Sequence, residues 1–230
     1  MSNLPPTKKM TTIKSCPQLM DYIQKVGFLP LLRCGIPGFS ADEAVSSECR
    51  YRLLDDGSWE WPLWRWKSSI ITESDCMYGK FFFDGRAGFV SGQWWPDFCN
   101  WRRSRFPMPD DTSVEATILD ILRVNGSMIT RDLRAACGFT GPKMRGRFDS
   151  YITRLERACR IITADFVYPR DRRGQPYGWG WALLTTPEQF IGSDACLCDR
   201  TPQQSLDRIL RHLHKTFPHL DRAALKVIAG

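Results

Sequence analysis

The stretch GRFDSYITRLERACRIITADFVYPRDRRGQPYGWGWALLTT, from Gly146 to Thr186, decides the fold of this protein. Its first part has apolar residues at the spacing of a helix with one covered face: Phe148, Tyr151, Ile152, Leu155 and Cys159. Two runs typical of β-strands follow, IITADFVYP and PYGWGWALLTT, and the basic turn RDRRGQ joins them. The stretch therefore predicts a helix followed by a β-hairpin with an arginine-rich tip.

Two amphipathic helices are predicted directly upstream. SVEATILDILRVNG ends at Asn125-Gly126 and has four apolar residues inward: Val114, Ile118, Ile121 and Leu122. SMITRDLRAACGF begins a second helix with Thr130 as N-cap and Leu133 and Ala136 inward, and Gly138 ends it. Three helices followed by a hairpin is the order of a winged helix, whose third helix enters the major groove of DNA.

The excess positive charge of the chain lies in the same region. The formal net charge is +7, and the segment from Arg123 to Arg173 holds twelve Arg or Lys against five Asp or Glu. The rest of the chain holds twenty of each sign. A basic segment inside a neutral chain indicates a polyanionic partner, and a solvated basic face is the alternative.

We predict that two groups of cations bind the phosphates of double-stranded DNA. The first group lies on the third helix and its N-terminal approach: Lys143, Arg145, Arg147, Arg154 and Arg157. The second group forms the tip of the hairpin: Arg170, Arg172 and Arg173. Each of these side chains could instead be a plain surface residue or a partner of the protein's own acids.

The N-terminal part predicts a mixed α/β domain, which makes the whole chain α+β. A helix is expected from Cys16 until Gly27 ends it, and Ser40 is placed to cap a short helix. YGKFFFDGRAGFVS predicts a β-hairpin with strands Lys80–Phe83 and Ala87–Val90 around an Asp84-Gly85 turn. The proline- and acid-rich PMPDDTS is the expected domain boundary.

We therefore divide the chain into four parts. Residues 1–12 are a flexible polar tail, residues 13–108 the N-terminal domain, residues 109–190 the winged helix and residues 191–230 a helical C-terminal extension. The extension contains TPQQSLDRILRHLHKTF in helical register and a last short helix from about Leu220 to Ala229.

Four of the nine tryptophans lie within the stretch DGSWEWPLWRWKSS, from Asp56 to Ser69. So much indole surface beside charges could be a hydrophobic core, a pocket for a flat ligand, or a face that docks a protein. On a strand, Trp59 and Trp61 share one face and Glu60 takes the other. With the nearby GQWW stretch, the candidates for stacking on a base are Trp59, Trp61, Trp64, Trp66, Trp94 and Trp95.

Composition places the chain among globular proteins of the cytoplasm. The N-terminus lacks the apolar stretch of a secretory signal, and no apolar run approaches the roughly 18 residues that span a bilayer. Nine scattered cysteines then indicate reduced thiols. We expect no cofactor and no metal, because His212 and His214 are two apart on a predicted helix and point about 200° away from each other. The sequence does not predict an oligomeric state.

The stretches GSMITRDLRAACGF and GRFDSYITRLERACRIITADF resemble the winged helix of the AlkZ (YcaQ) family of bacterial DNA glycosylases. PLWRWKSSI, YGKFFFDGRAGFVS and WWPDFCNWRR resemble the shorter bacterial proteins grouped with it as AlkZ-related, and this resemblance covers roughly residues 15–220. It implies a DNA-binding protein of DNA repair or maintenance. AlkZ glycosylases position water with a Gln-x-Gln or Gln-x-Asp motif, but none of the seven glutamines here has Gln or Asp two places on.

Two other functions remain open at the level of sequence. A glycosylase for alkylated bases needs a base held between flat side chains near a carboxylate or an amide, for which Glu60, Gln93 and Asp97 are the catalytic candidates. A transcription regulator would use the tryptophan-rich domain to sense a ligand.

Overall fold

The computed structural model describes residues 12–55, 57–174 and 178–230. Its helices are α1 (Cys16–Val26), α2 (Ala41–Ala44), α3 (Ser47–Arg50), α4 (Pro62–Glu73), α5 (Trp95–Arg105), α6 (Val114–Asn125), α7 (Thr130–Ala136), α8 (Arg145–Arg157), α9 (Pro187–Ile191), α10 (Pro202–Thr216) and α11 (Arg222–Ala229). Its strands are β1 (Phe28–Pro30), β2 (Arg52–Leu53), β3 (Trp59–Glu60), β4 (Met77–Gly79), β5 (Gly88–Val90), β6 (Met128–Ile129), β7 (Ile162–Val167) and β8 (Trp181–Thr185). The mixed α+β class that the sequence predicts is confirmed.

One six-stranded antiparallel sheet runs through the protein in the order β1-β5-β4-β7-β8-β6, and β2 and β3 form a separate ribbon. The pairing of Tyr78 in β4 with Thr163 in β7 joins the strands of the N-terminal half to the hairpin β7–β8. Sheet hydrogen bonds therefore cross the predicted domain boundary. The four-part division stays a prediction, and most of its tail lies outside the described residues.

Two groups of buried apolar side chains lie on the two sides of this junction. The larger group joins the N-terminal half to the C-terminal helices and includes Phe28, Phe89, Trp95, Ile209 and Leu213. The smaller group joins α6, α7, α8 and the hairpin, and includes Ile118, Leu122, Leu133, Phe148 and Ile152. Burial of this apolar surface is the main force that fixes α8 in place.

Several local predictions are confirmed because they depend on neighbouring residues. Gly27 ends α1 with a positive φ of 78°, and its backbone N–H donates to the carbonyl of Ile23. The Ser40 hydroxyl accepts from the backbone N–H of Glu43 and caps α2. Gly126 ends α6, where the sequence places the stop.

The strand predicted at Lys80–Phe83 is wrong, although the hairpin exists. The outgoing strand is β4, which ends at Gly79, and a 3₁₀ turn covers Phe83–Gly85. The carbonyl of Phe81 accepts a hydrogen bond from the buried guanidinium of Arg102 instead of a strand partner. Since that partner comes from α5, the sequence of the hairpin alone could not show it.

Three details around the helices of the smaller group are also wrong. Thr130 is the first residue of α7 and not its N-cap, because its hydroxyl donates to the carbonyl of Ala182 in β8 at 3.0 Å. Ala136 is exposed. Cys159 lies beyond the end of α8 with a φ of 54° and packs in the larger group of buried side chains.

Candidate nucleic-acid interface

Helix α8 presents its cations outward because its apolar side chains are covered. Phe148, Ile152 and Leu155 are buried, as the spacing predicts. A 3₁₀ turn at Pro142–Met144 leads into the helix, and Lys143, Arg145 and Arg147 are exposed around its first turn. That turn contains no acidic residue. The positive end of the helix dipole and three cations therefore meet at one place, where a bound anion would stabilise the helix.

The cations of α8 differ in how closely their partners hold them. Arg145 has one carboxylate nearby, that of Asp149 at 3.9 Å. Arg154 pairs with Glu115 of α6 at 2.5 Å, and the guanidinium of Arg157 lies 5.5 Å from the ring centre of Phe106. The N-terminal half of the helix is consequently the part that is available to an anion.

A basic cavity of about 340 Å³ opens beside this half of α8. Its lining joins residues of α7, α8, β8 and the end of β4: Lys80, Thr130, Arg131, Arg134, Arg145, Asp149, Gly180, Trp181 and Ala182. Arg131 pairs with Asp132 at 2.9 Å, and its guanidinium lies 4.8 Å from the ring centre of Trp181. The cavity thus brings together four cations and one carboxylate, that of Asp149.

Sequence reasoning missed three of these four cations. Arg131 and Arg134 stand inside the basic segment, so the charge count could have found them. Lys80 had no such signal, because only the fold brings the end of β4 against α8. There its Nζ donates to the Thr153 hydroxyl at 3.4 Å.

The hairpin tip carries the second predicted group of cations. Arg170, Arg172 and Arg173 are exposed. The Arg170 guanidinium donates to the carbonyl of Gly174 at 2.8 Å, and the backbone N–H of Arg173 donates to the Asp171 carboxylate at 2.8 Å. Gly174, with a φ of 77°, permits this tight turn. Gln175, the last residue of the predicted turn, lies outside the described residues.

The three catalytic candidates lie in different surroundings. Glu60 pairs with Arg52 at 2.5 Å and with Arg65 at 3.2 Å. Gln93 is exposed in the turn before α5. Asp97 is buried, and its carboxylate accepts from the Ser205 hydroxyl at 2.8 Å and pairs with Arg208 and Arg200 of the C-terminal segment. Among the contacts of the described residues, Glu60 and Asp97 share no partner.

Three tryptophans of the cluster surround an open cavity of about 500 Å³. Trp59, Trp61 and Trp64 line it with Tyr168 and Trp179, which belong to the loop between β7 and β8. Trp59 is 57% exposed and Trp61 41%. A hydrophobic-core role is therefore wrong for these two rings. Sequence reasoning missed Trp179 and Tyr168, since nothing local indicates that this loop reaches α4.

The remaining stacking candidates are packed inside the protein or against another cavity. Trp95 is fully buried, and Trp94 is buried while stacking on the His212 ring with centres 4.3 Å apart. The hydrophobic-core alternative is correct for this pair. Trp66 is half-buried and lines a different cavity, which it shares with Glu60 and Arg65.

Two buried ionisable groups lie beneath these surfaces. Lys67 of α4 has its Nζ 3.2 Å from the ring centre of Trp64 and 3.5 Å from that of Phe166. Burial lowers the pKa of Lys67 to about 7, whereas the two ring faces favour its charged form. Burial likewise raises the pKa of Glu156 in α8 to about 7, against the charge of Lys80.

The part of the chain that the structure describes contains neither a candidate metal site nor a candidate membrane-spanning helix. No group of three or more His, Cys, Asp or Glu side chains there is placed to hold a metal ion. Within the same residues, none of the helices has the length and apolar character needed to cross a bilayer.

Comparison with known proteins identifies a family. A family model with the description AlkZ related covers residues 13–230, which is nearly the whole chain. No curated protein matches the chain, and no solved structure does.

Proposed function

Because the chain belongs to the AlkZ-related family, we propose that it binds double-stranded DNA and acts in DNA repair or maintenance. The family relates the chain to DNA repair, and the interaction with DNA is our inference from the basic surface. The single observation that carries the inference is the convergence of Lys80, Arg131, Arg134 and Arg145 on one cavity. Cations from three separate parts of the chain meet there, beside the exposed first turn of α8.

The proposed mode of binding is that of a winged helix. The order of α6, α7, α8 and the hairpin β7–β8 supports it, as does the covered apolar face of α8. In this mode α8 enters the major groove with its N-terminal half towards the DNA. The tip formed by Arg170, Arg172 and Arg173 then reaches an adjacent stretch of backbone.

Sequence-independent binding through phosphates is what this surface supports best. The available side chains are arginine and lysine, and Arg154, nearer the helix end, is already paired with Glu115. Each phosphate that a cation neutralises releases counterions, so the affinity falls steeply with salt. We therefore expect a strong dependence on salt concentration and a weak dependence on DNA sequence.

The test is a titration of a labelled duplex, followed by fluorescence anisotropy at 50 and 200 mM salt. Arg145→Ala/Arg147→Ala should weaken binding and reduce the slope of log K against log salt by about two. Lys215→Ala/Arg211→Ala removes the same charge from exposed positions on α10 and is the matched control. Affinity that is absent, or that is unchanged by salt, would overturn the proposal.

The glycosylase alternative is decided by a separate measurement on the same protein. Duplexes that carry one alkylated base are incubated with the chain and then treated with hot alkali, which breaks the strand at each abasic site. Duplex binding without strand breaks would mean that the protein binds DNA and does not excise the alkylated base. Strand breaks that are lost in the Glu60→Gln variant would mean that it excises the base.

A further inference from the structure

The cavity beside the tryptophan cluster has the size and the walls of a site for a small flat molecule. Its volume of about 500 Å³ lies within the range of ligand pockets. Five aromatic rings line it: Trp59, Trp61, Trp64, Tyr168 and Trp179. Trp59 and Trp179 remain 57% and 60% exposed although they enclose it. Folding removes little of the surface of these two indoles from water, so their burial contributes little to stability. Their concentration here therefore needs another reason.

Ring stacking is already present at this cavity. Trp179 lies on Trp61 with ring centres 4.8 Å apart and planes 11° apart, and it meets Trp64 edge-on at 5.1 Å. The two flanking residues, Gly178 and Gly180, have positive φ values of 74° and 73°. A Cβ at Gly180 would also lie 3.1 Å from the Tyr168 ring. The loop thus needs glycine on both sides to present an indole at this place.

The charges around the rings decide which flat molecule the cavity accepts. Lys67 places its Nζ against Trp64, and Arg65 lies at the rim. A ring that carries its own positive charge would be repelled by the Arg65 guanidinium, whereas an uncharged ring would not be repelled. Arg65, which shares Glu60 with Arg52, lines the cavity and can therefore contact the phosphate of the same nucleotide. These features fit a neutral nucleobase with its phosphate.

The loop that lines the cavity also carries the arginine tip. Tyr168 and Trp179 stand on either side of Arg170, Arg172 and Arg173 in the connection between β7 and β8. DNA that is held by the tip would therefore have its backbone close to the aromatic rings. We propose that the cavity takes up one unpaired, uncharged nucleobase of DNA that is bound to the basic surface. The inference rests on the proposed function, because it assumes that DNA is the partner.

The test compares two duplexes that differ in one base. Both have a single-nucleotide bulge at the same position; in one the bulge is thymidine, and in the other it is an abasic analogue with the same phosphate. Because charge and flexibility match closely, the ratio of the two dissociation constants measures recognition of the base. Stacking on aromatic side chains predicts a preference of roughly five- to hundredfold for the thymidine bulge. A bulged 7-methylguanosine, whose ring is cationic, should bind less tightly than a bulged guanosine.

Variants decide where the base binds. Trp61→Ala and Trp59→Ala should remove the preference for the thymidine bulge and leave affinity for a fully paired duplex unchanged. Trp61→Phe should restore most of the preference, since it keeps a ring. Trp101→Ala removes a half-buried indole outside the cavity and is the matched control. The Trp59→Ala variant is expected to fold normally, because the Trp59 ring is mostly exposed and contributes little to the hydrophobic core.

The outcomes separate this inference from the proposed function. Equal affinity for the two bulges, with salt-dependent duplex binding intact, overturns the inference alone. A preference that survives every tryptophan variant places the base elsewhere and also overturns it. The absence of all DNA binding overturns the proposed function.

Discussion

Asp97 in α5 accepts a hydrogen bond from the guanidinium of Arg208 in α10, and the carboxylate is almost completely buried. Arg200, the Ser205 hydroxyl and the Cys198 thiol also contact this carboxylate. A carboxylate with this many partners on the C-terminal segment attaches that segment to the N-terminal half. Its position near the exposed Gln93 in sequence suggests catalysis, whereas its contacts indicate a structural role.

We therefore predict that Asp97→Ala lowers the stability of the protein. Removal of one partner from a buried ion pair costs about 3–5 kcal/mol, and water around Arg208 should reduce this to roughly 2–3 kcal/mol. Urea denaturation followed by circular dichroism measures the free energy of unfolding, and Asp199→Ala, at an exposed carboxylate, is the control. If Asp97→Ala kept its stability but abolished excision of a damaged base, the structural role would be refuted.

Lys80 should contribute to DNA binding although it stands outside the basic segment of the sequence. Its side chain lines the same cavity as Arg131, Arg134 and Arg145 and lies beside α8. Lys80→Ala should weaken binding to all duplex sequences alike and reduce the salt slope by about one, as expected for one phosphate contact. Lys25→Ala, at an exposed lysine of α1, should leave both quantities unchanged. A slope that stays the same in Lys80→Ala would exclude Lys80 from the interface.

The parts of the fold that the sequence predicts are those set by residues close together in the chain. The ends of α1 and α6 depend on Gly27 and Gly126, and the covered face of α8 follows from the helical spacing of Phe148 and Ile152. These signals are local and independent of the rest of the molecule. The same local signals predict that the cations at the start of α8 are exposed.

The parts that the sequence does not predict depend on contacts between distant segments. β4 ends at Gly79, and the carbonyl of Phe81 accepts a hydrogen bond from Arg102 in α5. The contact of Lys80 with α8 likewise joins two distant segments. Stacking between Trp61 and Trp179 joins α4 to a loop far along the chain. Periodicity shows which face of an element is apolar, but it does not show which element covers that face or leaves it open. Trp59 and Trp95 therefore looked alike in sequence and differ completely in burial.

Lys67 should make the stability of the protein depend on alkaline pH. Burial lowers its pKa from 10.5 to about 7, so between pH 7 and 10.5 the unfolded chain binds one proton more than the native protein. Stability then rises with pH across this window. Lys67→Met should remove the rise and stabilise the protein near pH 7 by about 1–4 kcal/mol, because an apolar side chain replaces an unpaired buried amine. Urea midpoints from pH 6 to 10 measure both effects, and parallel curves for the two proteins would mean that Lys67 keeps an ordinary pKa.

Glu156 should produce the opposite dependence at acidic pH. Burial raises its pKa from 4.5 to about 7, so between these values the native protein holds a proton that the unfolded chain has lost. Stability therefore falls as pH rises from 4.5 to 7, and the loss persists above pH 7. Glu156→Gln should remove this loss, which corresponds to at most about 3 kcal/mol at pH 8 at 1.36 kcal/mol per pKa unit. Glu73→Gln, at an exposed position of α4, is the control.

Together the two buried groups predict a minimum of stability near pH 7, which the double variant Lys67→Met/Glu156→Gln should flatten. A wild-type stability curve with its maximum at pH 7 would contradict both assignments.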